Sequence, residues 1–239
     1  MKNTKTLTTL LFLSSIASLD GVHIKKTNAR VDSIEDNISF WAFQEKEHAE
    51  FCMDFISNEK LKSEGKIIAD KFQQLHTNPK GKKNEFLTLS TRIKKFQNNV
   101  RGVLNENDKD YKIKVALIDH MNLEADYAEK KVRGKRLTRN EELKFWMEEH
   151  KGEAEAISYF MKNDNELKNE ADELVKDLKE EIAKPTLTLA ADANHELDEI
   201  GEDLEDDPSK TRMPKKLAEH EKRERARAEQ TFRELTINS

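Results

Sequence analysis

The stretch FWAFQEKEHAEF (residues 40–51) places a histidine, His48, on what should be the buried face of an amphipathic helix. At about 100° per residue, the arc centred on His48 also holds four apolar side chains, Trp41, Phe51, Cys52 and Phe55. Glu45 lies about 60° away, at the edge of this arc, and can approach the same point as His48. Because an unpaired buried charge is costly, an interior Glu and His must have partners.

The composition predicts an all-α fold. The 239 residues are 36% hydrophobic and 37% charged, with only four prolines and seven glycines, which is typical of long amphipathic helices. The formal net charge of −5 gives no electrostatic reason to bind nucleic acid. Cys52 is the only cysteine, so no intrachain disulfide can form, and its place on the apolar arc predicts a buried thiol.

Residues 1–17 have the pattern of a secretory signal peptide. Lys2 and Lys5 precede an apolar or hydroxylic segment at residues 7–19, and the small Ser15 and Ala17 predict cleavage after Ala17. The alternative, an uncleaved anchor, is disfavoured because the segment is shorter than the roughly 20 residues that span a bilayer. We therefore expect an exported protein, periplasmic or secreted, with a flexible lead-in at residues 18–32 and no stable membrane insertion after cleavage.

Apolar stripes at helical spacing predict eight helices, separated by loops such as TNPKGKKN (residues 77–84) and RGKRLTRN (residues 133–140). Their predicted ranges are 33–58, 60–76, 86–104, 109–132, 141–162, 165–184, 189–204 and 213–235. Ser33 is the predicted N-cap of the first helix.

The two halves of the chain resemble each other. Phe40-Trp41 recurs 105 residues later as Phe145-Trp146, and LIDHMNLEADYAE (residues 117–129) matches LAEHEKRERARAE (residues 217–229) at five positions with an offset of 100. The sequence therefore predicts a duplicated four-helix unit, with a first unit at residues 33–134 and a more divergent second unit at residues 139–239.

Each half carries Glu and His pairs on faces predicted to point inward. In the fourth and eighth helices, His and Glu are spaced i, i+4 beside the apolar stripe, and the fifth helix repeats the pair of the first in reversed order. The predicted ligands are Glu45, His48, His120 and Glu124 in the first half and His150, Glu153, His220 and Glu224 in the second. Two facing helices with such pairs can enclose one ion, and iron, manganese or zinc would suit these donors.

Two motifs extend this pattern to a known group of proteins. FW-x6-H-A-x-F in the first helix and I-D-H-M-x2-E in the fourth resemble a bacterial family of unknown function built from tandem ferritin-like four-helix units, some of whose members are labelled spore-coat proteins. The similarity covers about residues 33–184. It implies a left-twisted bundle and a metal site, and it supports His48, His120 and Glu124 as ligands, while Glu45 rests on geometry alone.

Departures from the pattern limit what the resemblance implies. The second unit has Glu153 where the first-helix His is expected, and a secretory leader is unusual for this family. Glu45-x-x-His48 is the only Glu-x-x-His motif among the pairs, so iron storage by a ferritin-type oxidation site is not supported.

Three hypotheses follow. The leading one is an exported protein that binds a transition metal, with no particular reaction implied. The second is a metal-free structural or interaction protein of the cell envelope, in which the same pairs are buried hydrogen bonds and the charged surface meets a protein partner or a second copy of the chain. The third is a hemerythrin-like oxygen binder, which needs more histidines per unit than the sequence offers.

Overall fold

The computed structural model describes residues 33–161, 164–207, 211 and 213–237. Within these ranges the chain is all-α, as predicted, and contains eight helices. In chain order α1 to α8 are Ile34–Asp54, Glu59–Thr77, Lys83–Arg101, Tyr111–Val132, Arg139–Phe160, Asn165–Glu181, Leu187–Asp206 and Lys215–Ile237. The predicted signal peptide and lead-in, residues 1–32, lie outside the described residues. No described helix is both long enough and apolar enough to cross a membrane.

The two Phe-Trp helices, α1 and α5, begin with the same local structure. The Ser33 side chain accepts a hydrogen bond from the backbone N–H of Asp36, whose carboxylate accepts one from the backbone N–H of Ser33. Thr138 and Glu141 form the same reciprocal pair at the start of α5. Each capping box satisfies two backbone donors and fixes the residue at which its helix starts.

α1 packs against α2, α3 and α4, and α5 packs in the same way against α6, α7 and α8. The first four helices meet the last four where α4 packs on α5. Aromatic rings fill this contact: the Phe145 ring stacks on Tyr127 with centroids 3.6 Å apart and meets Trp41 edge-on at 6.3 Å. All described helices belong to one compact unit.

α8 reaches α1 through long side chains. The guanidinium of Arg223 lies 4.8 Å from the centre of the Phe43 ring, and that of Arg227 lies 5.0 Å from the centre of the Phe40 ring. Such cation–π contacts hold arginine stems flat against an apolar surface. As a result α1, α4, α5 and α8 enclose a common interior.

This interior is rich in ionisable groups. Cys52 is buried there as predicted, but so are ten polar side chains of the four helices, each at most 2% exposed: Gln44, Glu45, His48, Glu124, Glu149, His150, Glu153, His220, Glu221 and Glu224. Glutamate is almost never fully buried unless it is paired. Six buried glutamates in one bundle interior therefore require a specific compensating partner.

Candidate metal centre

Two groups of ligand-type side chains lie in the interior enclosed by α1, α4, α5 and α8. The first ligand group consists of His48 on α1, Glu124 on α4 and His220 on α8. The second ligand group has one residue on α4, one on α5 and two on α8: His120, Glu149, Glu221 and Glu224. Within each group, one ligand atom from every residue lies within 4.8 Å of the others.

The first ligand group has the dimensions of a metal site. Nε2 of His48 lies 3.1 Å from Oε2 of Glu124 and 3.3 Å from Nε2 of His220, and the third side of this triangle, from His220 Nε2 to Glu124 Oε2, measures 4.0 Å. A point about 2.0 Å from all three atoms exists inside this triangle, and this is the usual length of a zinc–imidazole bond. A transition-metal ion therefore fits between these donors.

Two carboxylates of α1 hold both imidazole rings in this orientation. Glu45 Oε2 lies 3.2 Å from Nδ1 of His48, and Glu47 Oε2 lies 2.9 Å from Nδ1 of His220. Glu47 is itself bonded by Arg223. When Nδ1–H donates to a carboxylate, the neutral ring presents the lone pair of Nε2, which is the form that binds a metal. Both Nε2 atoms thus face the centre of the first ligand group.

The second ligand group contains buried polar atoms without hydrogen bonds. Nε2 of His120 lies 2.7 Å from Oε1 of Glu149, but neither atom is in hydrogen-bond geometry with any described group. The same holds for a carboxylate oxygen of Glu221 and one of Glu224. Each unsatisfied buried polar atom costs about 1–3 kcal/mol, more when it is charged. A cation among these atoms would remove that cost.

Glu124 connects the two groups. Its Oε2 belongs to the first ligand group, while its Oε1 lies 3.3 Å from Nε2 of His120 in the second. Neither oxygen has a hydrogen-bond partner among the described residues. A carboxylate placed in this way can supply one oxygen to each of two neighbouring ions.

The carboxyl groups are electrostatically coupled. Burial, together with the charge of Glu224, raises the pKa of Glu124 and of Glu149 well above the ordinary value, and burial raises the pKa of Glu221 to about 8. Burial also opposes ionisation of Glu224, but the His220 charge and neighbouring groups lower its pKa to about 2. The pKa of one carboxyl of the cluster is thus lowered and those of the others are raised, as expected for like charges that share a site.

In the absence of a metal ion, the first ligand group favours a proton on His48. Burial disfavours the charged imidazole, but the carboxylates of Glu124 and Glu45 outweigh it and raise the pKa of His48 well above the ordinary value. Burial lowers the pKa of His220, which stays neutral. The centre therefore attracts positive charge, and an incoming metal ion competes with protons.

The structure brings five of the eight predicted ligands together: His48, His120, Glu124, His220 and Glu224. They come from both halves of the chain and meet in one place. Glu45 lies behind His48, on its Nδ1 side. His150 and Glu153 belong to neither ligand group, because the Glu153 carboxylate pairs with Arg225 and the His150 ring packs against Trp146 and Phe232.

Sequence reasoning missed Glu47, Glu149 and Glu221. The repeat did indicate an interior polar position for Glu149. This residue aligns with Gln44 at the offset of 105 that also aligns the two Phe-Trp pairs. Gln44 is fully buried and donates a hydrogen bond of 2.7 Å from its Nε2 to Oε1 of Glu224. Glu221 aligns with the apolar Met121, so the repeat offered no indication of its role.

Gly152 leaves room for the His120 ring. A Cβ built on Gly152 would lie 2.4 Å from Nδ1 of His120, which is far inside contact distance. Because α5 has only a hydrogen atom at this position, the imidazole can pass over its backbone and reach Glu149. The backbone conformation of Gly152 does not require glycine, but the closeness of the ring does.

Comparison of the chain with protein-family models and with curated proteins finds no match. The function must therefore be inferred from the site itself.

Proposed function

We propose that the protein binds two divalent transition-metal ions, one in each ligand group, with Glu124 between them. The observation that carries this proposal is the convergence of buried ligand atoms at separations that suit a bound ion, together with the lack of hydrogen bonds at Glu124 and in the second ligand group. Native proteins leave few buried polar atoms unpaired, and an ion is one of the recognised explanations for those that remain.

Charge supports two ions. The two ligand groups contain four carboxylates and three imidazoles, so two divalent ions would neutralise the ionised carboxylates. The first ligand group offers two nitrogens and one oxygen, donors suited to zinc or iron. The second offers one nitrogen and three carboxylates, a set richer in oxygen that suits manganese or iron.

Bound ions would supply Lewis acidity or, if iron or manganese is bound, redox chemistry. The residues of the chain have separate tasks in such a centre. Glu45 and Glu47 orient His48 and His220, Gln44 holds one oxygen of Glu224, and the Phe51 ring packs edge-on against His220. The proposal includes no particular reaction.

The tandem ferritin-like architecture and the exported location also stay proposals. The packing of α1 on α2–α4 and of α5 on α6–α8 supports the duplication. The lysines and the apolar segment of residues 1–17 support export, and mass spectrometry of the exported protein should find Ser18 at its N-terminus. A protein recovered outside the cell with residues 1–17 intact would contradict cleavage.

Elemental analysis tests the metal proposal directly. The purified chain, reconstituted with iron, manganese or zinc and passed through a desalting column, should retain close to two ions per molecule of at least one of these metals. Retention of less than about half an ion of every metal would favour the metal-free structural protein, in which protons on His48 and the carboxyls replace the ions.

Glu47→Gln should weaken metal binding without removing a ligand. The glutamine cannot accept the Nδ1–H of His220 and pair with Arg223 as the carboxylate does, so the ring loses its fixed orientation. Losses of about 10–100-fold in affinity are typical for such supporting groups. Competition with a chromogenic chelator measures the change. Glu50→Gln is the matched control on α1, because Glu50 pairs with Lys46 and Lys216 on the surface, and it should bind like the unsubstituted chain.

Metal affinity should rise with pH. The pKa of Glu221 is raised to about 8, and the pKa values of Glu124 and Glu149 are also raised, so protons compete with an ion for these carboxyls. Between about pH 6 and 8 the affinity should increase by up to about tenfold per pH unit for each proton released. Calorimetry in two buffers of different ionisation enthalpy measures the release. Equal heats in both buffers and a pH-independent affinity would contradict the coupling.

A further inference from the structure

A cavity of about 330 Å³ lies beside the second ligand group, between α5, α7 and α8. Its walls include the apolar side chains of Ile157, Leu204, Met213 and Ala218. Glu221 lines the cavity and also belongs to the second ligand group. One side chain thus connects a space of ligand size with the proposed ion position. Small-molecule sites are typically cavities of this kind, mostly apolar with a few fixed polar groups.

The charges of the cavity wall disfavour an anionic ligand. Arg225, which is 6% exposed, is bonded by the carboxylates of Glu153 and Asp198, so its positive charge is already neutralised and offers little to an anion. Lys215 and Glu205, the other charged residues of the wall apart from the buried carboxyls, pair with Glu219 and Lys222. An anion would therefore lose its hydration without gaining an unpaired partner.

The polar end of the cavity favours a hydroxyl group. Glu221 is 2% exposed, and its carboxyl oxygens are acceptors for a donor that enters from the cavity side. Glu153, the other buried carboxylate of the wall, is occupied by Arg225. A molecule with an apolar body and one hydroxyl would therefore place the body against Ile157 and Leu204 and the hydroxyl toward Glu221.

We propose that this cavity binds a small alcohol with an apolar body, for which 1-naphthol is a suitable probe, with its hydroxyl group at Glu221 and hence beside the second ligand group. The closeness to a bound ion rests on the proposed function, whereas occupation of the cavity does not. The ligand would be a substrate or effector of the metal centre, held where its oxygen approaches the ion.

Fluorescence titration of the metal-free chain with 1-naphthol tests the occupation. The fluorescence anisotropy of the probe should rise saturably, because a probe held in the cavity tumbles with the protein. 1-Methoxynaphthalene, which has no hydroxyl donor, should bind more weakly. Glu221→Leu should remove this preference. Absence of saturable binding, or equal affinities of the two probes for the unsubstituted chain, would overturn the proposal.

Two tryptophan substitutions on α8 locate the site. Ala218 is an exposed residue of the cavity wall, so Ala218→Trp should fill the space without disturbing the core and weaken 1-naphthol binding by at least about tenfold. Ala226 is exposed on the same helix and does not line the cavity, so Ala226→Trp is the matched control and should bind normally. Equal affinities of the two variants would place the probe elsewhere and overturn the assignment.

Cobalt loading separates this inference from the proposed function. In the Co²⁺-loaded chain, saturation with 1-naphthol should shift the visible cobalt bands, and Ala218→Trp should abolish the shift. Bound cobalt with bands that stay unchanged at saturation would overturn the closeness of the ligand to the ion and leave metal binding intact. Failure of cobalt to bind would contradict the metal proposal, while the titration of the metal-free chain would still decide whether the cavity is a ligand site.

Discussion

Glu124→Gln is expected to abolish binding of two ions under conditions in which the unsubstituted chain retains them. One oxygen of Glu124 lies 3.1 Å from His48 Nε2 and the other lies 3.3 Å from His120 Nε2, so a single side chain serves both ligand groups. Glutamine keeps the volume but removes the negative charge and one of the two acceptor oxygens. Since loss of a mere supporting group costs about 10–100-fold in affinity, loss of this ligand should cost at least about 100-fold.

Glu129→Gln provides the matched control for this substitution. Glu129 is on the same helix, α4, but its carboxylate faces α3, where it accepts a hydrogen bond from Ser90 and pairs with Lys94. This variant should retain two ions. The readout is metal content after desalting, with circular dichroism to show that both variants are helical. Two ions retained by Glu124→Gln at unchanged affinity would exclude Glu124 as the link between the groups.

Metal ions are expected to raise the melting temperature of the chain by about 8–16 °C. An ion present at 1,000 times its dissociation constant stabilises the folded state by about 4 kcal/mol, and for a chain of this size each kcal/mol corresponds to about 2–4 °C. The effect is large because the ion binds ligand atoms that converge in the folded chain and are dispersed in the unfolded chain. Thermal unfolding followed by circular dichroism, with and without metal, measures the shift.

A chelator should reverse this stabilisation, and Glu124→Gln should largely lack it. If instead the buried pairs are metal-free hydrogen bonds, as in an envelope structural protein, added metal should leave the melting temperature within about 2 °C. That result at saturating concentrations of iron, manganese and zinc would contradict the proposed function. The metal-induced change in melting temperature is also measured for Glu129→Gln, which keeps all proposed ligands. A shift that this variant shows and Glu124→Gln lacks comes from the centre, whereas a shift shown by both comes from surface binding.

Much of the fold could be predicted because helices are local structures. Ser33 was expected as a cap and forms a capping box, and each predicted helix has an observed counterpart. Helical periodicity likewise predicted that His48, Glu124 and His220 point inward, and all three are buried. An angular position on a helix is a property of spacing alone, so it requires no knowledge of neighbouring helices.

The partners of these side chains depended on the tertiary structure. Periodicity placed Glu45 and His48 on one face, but only the packed helices show that Glu45 meets Nδ1 of His48 while Glu124 and His220 face Nε2. It also predicted one centre per half, whereas the ligand groups combine α1 and α4 with α5 and α8. The contribution of Glu149 and Glu221 depends on how α5 and α8 pack across the two halves.

The sequence by itself therefore determined which residues are helical and which polar side chains turn toward the interior, because both follow from contacts three and four residues apart. The tertiary structure alone decided which of these side chains meet, which imidazole nitrogen faces the centre, and that His150 and Glu153 lie apart from it. Those features arise from the approach of different helices, which are 172 residues apart in the case of His48 and His220, and helical spacing carries no information about how helices approach each other.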